Sequence, residues 1–441
     1  MVATKIKLRK HLNADALIDR VHSCFEKIKD HRPKSTISLS DALMSAFAMF
    51  SLKDPSLLAF RKRKSENLNL KSIYMMKNIP CDTQMRTILD NVEPSDLEPF
   101  FNDIFRQLQR GKVMEKMVFM NGCYLLSIDG TGYFSSNKIH CESCCEKKSS
   151  KTGEITYGHQ ILGAAIVHPD FKEVIPFAPE TIIKQDGETK NDSERNASKR
   201  YFNKLRKVHP HLRLIVIEDS LNSNAPHILE LKKHHLRYII GVKNGDHAFL
   251  FDFVDLAEKD GLSTEIEIKS DDTIHKFRFI NQVPLNKSNQ KLLVNFVEYW
   301  EINPEKTLHF SWVTDIHVTE KNIFQIMKGG RARWKIENET FNTLKNQGYH
   351  FEHNYGHGNK NLSVVFAMLM MLAFLVDQVQ QIACPLFQAV WNKLGSKRSL
   401  WEDIRSLFFG HNIHSMENLL TALLYGFERE CLIILEDPPP F

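Results

Sequence analysis

The 441-residue sequence has no apolar run long enough to span a bilayer. Its longest, residues 362–376, is closed by Asn361 and Asp377. A membrane helix needs about 18 or more apolar residues, so this run reads as a buried helix and no membrane partner is expected. The first residues, Met1-Val2-Ala3-Thr4-Lys5-Ile6-Lys7, are charged and lack an apolar core, so no signal peptide is expected. Internal repeats are absent, and low complexity is confined to Pro438-Pro439-Pro440. Cysteine is sparse: of eight, only Cys141, Cys144 and Cys145 cluster. That is no disulfide framework, and a reducing, cytoplasmic setting is expected. Charge of one sign is also missing. A net charge of +5 tolerates nucleic acid but identifies no partner.

What is present is ordinary globular composition, 42% hydrophobic and 25% charged, enough for a sizeable core in roughly two to four domains. Residues 38–110 carry helical periodicity. Ser40-Asp41 offers a cap before Ala42, Met44, Phe47 and Phe50, and Asp82-Thr83 before Met85, Ile88 and Leu89. The pattern changes at Cys123. Tyr124-Leu125-Leu126-Ser127-Ile128 reads as a buried strand stopping at the turn Asp129-Gly130-Thr131. Strands are expected over 161–168 and 173–177, a helix over about 192–208, and a strand at Leu212-Arg213-Leu214-Ile215-Val216-Ile217. A helix over 226–233 and the strand Tyr238-Ile239-Ile240-Gly241-Val242 follow. Between 263 and 315 the runs are strand-like, a β-rich insertion. Helical pattern resumes near Asn322, continues through Lys345, and fills the C-terminal third to about Leu435. The fold class is α/β.

Two aspartates directly follow apolar strands: Asp129 after the first and Asp219 after the fourth. In α/β sheets, ligands bind where loops converge outside strand ends. A glutamate, Glu337, lies on the later helix. Positions 333, 337, 341 and 345 repeat at i+4, giving Arg333, Glu337, Phe341 and Lys345 one face. Three crowded carboxylates repel unless a cation neutralises them. Their hard oxygens suit Mg²⁺ or Mn²⁺, and two such ions can cleave a phosphodiester. Arg333 and Lys345 would meet phosphate charge. Singly, each signal is weak: an Asp after a strand is usually a turn or cap, and Glu between basic residues is usually a surface ladder. Specificity comes from their joint occurrence in one strand-helix order.

Ile128-Asp129-Gly130-Thr131, Ile217-Glu218-Asp219-Ser220 and Arg333-x3-Glu337 resemble the three motifs of bacterial insertion-sequence transposases with an RNase H-like DDE domain. The resemblance covers roughly residues 120–360, and is greatest to the cut-and-paste group, where a β-rich insertion precedes the catalytic glutamate's helix. The separation of 118 positions from Asp219 to Glu337 independently requires an insertion. Two departures stand out. The group's tyrosine three residues before the arginine is Gly330 here, and Lys345 falls eight rather than seven residues after Glu337. The resemblance implies Asp129, Asp219 and Glu337 as catalytic and metal-binding residues for two Mg²⁺ (or Mn²⁺) ions. The implied reaction cleaves DNA at transposon ends and transfers the strand into target DNA. It also implies a homodimer on paired terminal inverted repeats. An aromatic residue of the insertion stacking a flipped base would be Trp300 or Trp312, although a strand tryptophan is more often core.

The domains expected are a helical DNA-binding region (1–115), an RNase H-like catalytic core (116–360) with its insertion (about 247–318), and a helical C-terminal region (361–441). Arg61-Lys62-Arg63-Lys64 are natural phosphate contacts in a DNA enzyme, and a solvated face otherwise. Glu339 competes with Glu337 but lies about 200° round an α-helix from it. Glu218 competes with Asp219 from the opposite strand face. Lys243 and Asp246 follow the last strand of the core and either meet phosphate or are solvated. The loop Phe351-Glu352-His353-Asn354-Tyr355-Gly356-His357-Gly358 touches DNA, braces the site, or simply packs. Cys141, Cys144 and Cys145 with His140 would suit zinc. Metal-free thiols are the simpler reading, because only His159 adds a nearby ligand. Two alternatives therefore stand beside the transposase: a non-catalytic DNA-binding protein derived from one, and a zinc-loop nucleic-acid binder.

Overall fold

Leu214, Ile215, Val216 and Ile217 are all buried, as in a strand covered on both faces by helices. They form the middle of one large mixed sheet. The computed structural model describes residues 6–33, 35–64, 68–183 and 193–427. Asp192, the Lys64 side chain, and everything expected beyond residue 427 lie outside them.

Among the described residues the sheet has eleven strands. These are β1 (Tyr124–Ser136), β2 (Cys145–Lys148), β3 (Ile155–Val167), β4 (Ile175–Pro176), β5 (Glu180–Ile182) and β6 (Leu214–Glu218). There follow β7 (Arg237–Gly241), β8 (Thr264–Ser270), β9 (Thr273–Pro284), β10 (Leu293–Ile302) and β11 (Thr307–Thr314). The order is β2-β3-β1-β6-β7-β11-β10-β9-β8, with β4 and β5 also on β3. β1, β6 and β7 are parallel neighbours, while β3 and the inserted strands pair antiparallel. The protein is thus a mixed α/β protein with flanking helices.

The first strand does not stop at Asp129. It runs on to Ser136, because Gly130, Thr131 and Gly132 keep pairing with Leu162, Ile161 and Gln160 of β3, and only a bulge between Gly132 and Phe134 interrupts. Gly130, which read as a turn, is instead a site of close approach from a neighbouring element. The insertion opens on a helix, Ala248–Lys259, before its four strands.

A second difference concerns the helix expected through Lys345. It breaks after Ile323–Arg331, restarts, and passes through a π turn, Ile336–Phe341, before Asn342–Asn346. A π turn takes one more residue than an α turn. Eight residues through it therefore rotate Lys345 about as far as seven would on an α-helix, offsetting its one-residue shift.

The helices before β1 interlock with those after the sheet. Leu39–Ser51 packs on Leu362–Ala383 through nearly all-buried faces. Ser38, not Ser40, caps the former, accepting from Asp41 N. Asp15 Oδ1 and Oδ2 accept from Met416 N and Glu417 N. Asp90 accepts from four successive amides, Asn359 to Leu362. At the centre Lys53 Nζ donates to Asp377 Oδ2 at 2.5 Å, both side chains at most 1% exposed, and Tyr349 Oη donates to the same oxygen. Leu362–Ala383 outlasts the apolar run that signalled it. By length and composition it could cross a membrane, yet 94% of that window is buried inside the protein.

Candidate active site at the ends of the parallel strands

The last paired register between β1 and β6 is Ser127 with Ile217. Two positions on from that register, β1 continues through Asp129, which alternation turns toward the face of Ser127, while β6 ends at Glu218 and Asp219 begins the turn that follows. On that face lies the segment carrying Glu337. Ser127 Oγ donates to Arg333 O at 3.0 Å, and a Cβ at Gly163, the partner of Asp129 on β3, would lie 2.7 Å from the Phe341 ring. Close backbone approach therefore seats the π turn against the sheet.

Arg333 Nη1 is 2.6 Å from Glu337 Oε1 and 3.7 Å from Asp129 Oδ2. Burial, then the Glu337 charge, pushes the Asp129 carboxyl up to about 7, against the opposing pull of Arg333. One guanidinium does not offset two crowded carboxylates. Asp219 accepts from Leu221 N at 3.0 Å, capping a short turn. It lines an open cleft of about 460 Å³ with Lys243, Trp312, Arg333 and Trp334. So Asp129 and Glu337 meet directly, and Asp219 lines one cleft with the Arg333 that joins them.

Glu218 turns the other way. Its Oε2 lies 2.6 Å from His227 Nε2 on the helix Ala225–Lys233. Burial works against the charged imidazole, but the Glu218 charge and hydrogen bond prevail and raise the His227 pKa.

Sequence reasoning missed Glu194. It opens the helix Glu194–Val208 on the opposite sheet face, where its carboxylate occupies the space that a Cβ on Gly130 would take. Burial first, then Asp219 and Glu218, raise its pKa. Acidic residues in a first helical turn are common, so Glu194 gave no signal; the glycine after Asp129 was the available hint. Trp334 was also unassigned. It is 50% exposed at the cleft, with Arg333 Cζ 4.5 Å from its ring centre.

The remaining candidates scatter. Trp312 is 5% exposed, stacked on Phe310, and occupies the space where a side chain on residue 330 would project. The glycine at 330 has this physical reason. Trp300 is half-buried and stacked on His309, with Lys276 and Arg278 beside it. Lys345 pairs with Glu352 at 2.8 Å. Arg61 and Lys62 are exposed on Leu57–Lys64, whereas Arg63 is held by the buried Asp54 at 2.8 Å. Asp246 ends the short turn Asn244–Asp246, beside the cleft-lining Lys243. Cys145 separates from its neighbours, its Sγ donating to Ile182 O. Cys141 and Cys144 instead meet His159 and His357.

No protein-family model matches the chain, and no curated protein does. Among solved structures, the NurA nuclease from Sulfolobus solfataricus is similar over 52% of this chain and 80% of that one, at 13% identity and a TM-score of 0.22. A likeness so slight carries no inference.

Proposed function

We propose that this chain is a metal-dependent DNA transposase of the insertion-sequence kind, with Asp129, Asp219 and Glu337 as its catalytic carboxylates. The observation that carries this reading is Arg333 reaching both Asp129 and Glu337 while lining one cleft with Asp219. The strand order supports an RNase H-like core: a long antiparallel β1–β3 pair, then β6 and β7 parallel to β1, the insertion continuing outward from β7. The two departures from the family pattern fit local packing, Gly330 through Trp312 and Lys345 through the π turn.

The donor set fits hard divalent cations. It is all carboxylate oxygen, and burial together with the Glu337 charge makes Asp129 hold its proton toward neutrality, a penalty that a bound cation would relieve. Asp129, Asp219 and Glu337 would hold Mg²⁺ or Mn²⁺, with Glu194 behind them. When bound, such ions activate the attacking oxygen and stabilise the leaving one. Arg333 and Lys243 set cationic groups against the phosphate, and Trp334 offers an exposed ring to a base. Arg61 and Lys62 are proposed as backbone contacts, and a dimer on paired ends is the proposed assembly.

The experiment is incubation of purified protein with a mini-element bearing its native ends and Mg²⁺. Strand cleavage and joined products are expected, lost in Asp129→Ala, Asp219→Ala and Glu337→Ala while end binding remains. Unchanged products from those variants would refute the assignment.

A further inference from the structure

The loop Cys141–Cys144 lies between β1 and β2, His159 lies on β3, and His357 lies beyond the π turn. They are remote in sequence and face one another in space. Cys141 Sγ is 3.8 Å from Cys144 Sγ and 3.4 Å from His159 Nε2. Cys144 Sγ is 3.5 Å from His159 Nε2 and 3.4 Å from His357 Nε2. All four ligand atoms lie within 4.8 Å of one another, and three of the residues are buried.

These spacings decide between packed thiols and a metal centre. Zinc bonds sulfur at about 2.3 Å and imidazole nitrogen at about 2.0–2.1 Å, so a tetrahedral ion sets sulfurs about 3.8 Å and sulfur–nitrogen pairs about 3.5 Å apart. The four measured separations reproduce that pattern.

The backbone is arranged to deliver the ligands. A tight turn brings Cys141 N to donate to Cys144 Sγ at 3.4 Å. His159 is stacked on Tyr133 and pairs across β1 at the bulge. His357 lies between Gly356 and Gly358, at φ +147° and +69°, where a Cβ on Gly358 would strike Asp90. The loop is thus bent by its glycines and pinned by Asp90.

We propose that Cys141, Cys144, His159 and His357 form a structural Zn²⁺ site. The ion fastens the β1–β3 hairpin, which carries Asp129, to the loop that follows Glu337. Two thiolates and two neutral imidazoles leave the ion no net charge, which suits a buried centre that closes its own coordination. The site stands independently of the carboxylate cleft and its proposed chemistry.

The test is zinc content, by elemental analysis, of full-length protein purified without added metal or chelator and with any histidine tag removed. About one zinc per chain is expected, falling to near zero in Cys144→Ser and in His357→Asn. Cys145→Ser, in the same loop, is expected to keep its zinc. Should the ligand variants not fold, cobalt exchanged into the wild-type protein supplies the readout: strong tetrahedral d–d absorption with a thiolate charge-transfer band. Zinc-free protein, zinc retained in both ligand variants, a Cys141–Cys144 disulfide, or octahedral cobalt would each overturn the site.

Discussion

The Glu194 carboxylate fills the space that a Cβ on Gly130 would occupy. A glycine next to one acid thereby admits another from the opposite face of the sheet. Gly130→Ala is expected to displace Glu194 and to destabilise the protein by about 1–3 kcal/mol, the usual cost of overpacking. Glu194→Gln keeps the shape and removes a charge crowded by Asp219 and Glu218. In chelator it should melt higher than wild type, and by calorimetry it should bind Mg²⁺ more weakly. Identical melting and identical binding would remove Glu194 from the site.

Asp129 makes a pH prediction. Its folded value of about 7 lies above the ordinary 3.8. Between about pH 4 and pH 7 the folded chain keeps a proton that the unfolded chain has released, so this group's contribution to stability falls as pH rises and levels off above that window. Denaturant titrations in chelator should show Asp129→Asn with a shallower decline than wild type. Mg²⁺ should also flatten the wild-type curve by favouring the ionised carboxylate. Equal slopes for wild type and variant would contradict this electrostatic account.

Arg333 tests the geometry rather than the charge. Its position between Asp129 and Glu337 should not be reproduced by a flexible ammonium. Arg333→Lys is expected to lose cleavage rate on the order of 10²-fold, the scale of one removed stabilising donor, with binding of end DNA little changed. A lysine variant at full rate would reduce Arg333 to a replaceable cation.

Lys53 and Asp377 tie the N-terminal helices to the C-terminal ones. Asp377→Ala leaves a buried ammonium with no counter-charge and should cost about 3–5 kcal/mol. The apolar double variant Lys53→Met with Asp377→Leu should recover most of that loss. Chemical denaturation of the three proteins gives the comparison, and a mild Asp377→Ala would mean that water reaches the pair.

Gly330→Tyr should collide with the Trp312 indole and destabilise the chain by about 1–3 kcal/mol. In a Trp312→Ala background the same change should cost measurably less. Additive effects across that double-mutant cycle would show that the two positions do not compete for space.

The parallel strands, the inserted β-rich stretch and the buried helix at 362–376 were legible because each rests on local periodicity. Asp129 and Asp219 were legible because each marks an abrupt change from apolar to acidic residues, although only Asp219 follows a true strand end. What was not legible depends on partners distant in sequence. Asp129-Gly130-Thr131 carries turn chemistry, yet β3 holds it extended. The π turn is invisible to a 3.6-residue count, so the i+4 spacing that joins Arg333 to Glu337 does not carry on unchanged to Phe341 and Lys345. His357 is 213 positions from Cys144, and no spacing rule joins them.

The inserted strands are not hung from the core on a flexible tether. Gly241, Ile240 and Ile239 of β7 pair with Trp312, Val313 and Thr314 of β11, and Trp312 in turn bears on Gly330, three residues before Arg333. A load applied at the far rim of the insertion would reach the guanidinium as torque through one stiff ladder. Any closure of the insertion around a long ligand would thus have to bend this ladder and would be felt at Gly330.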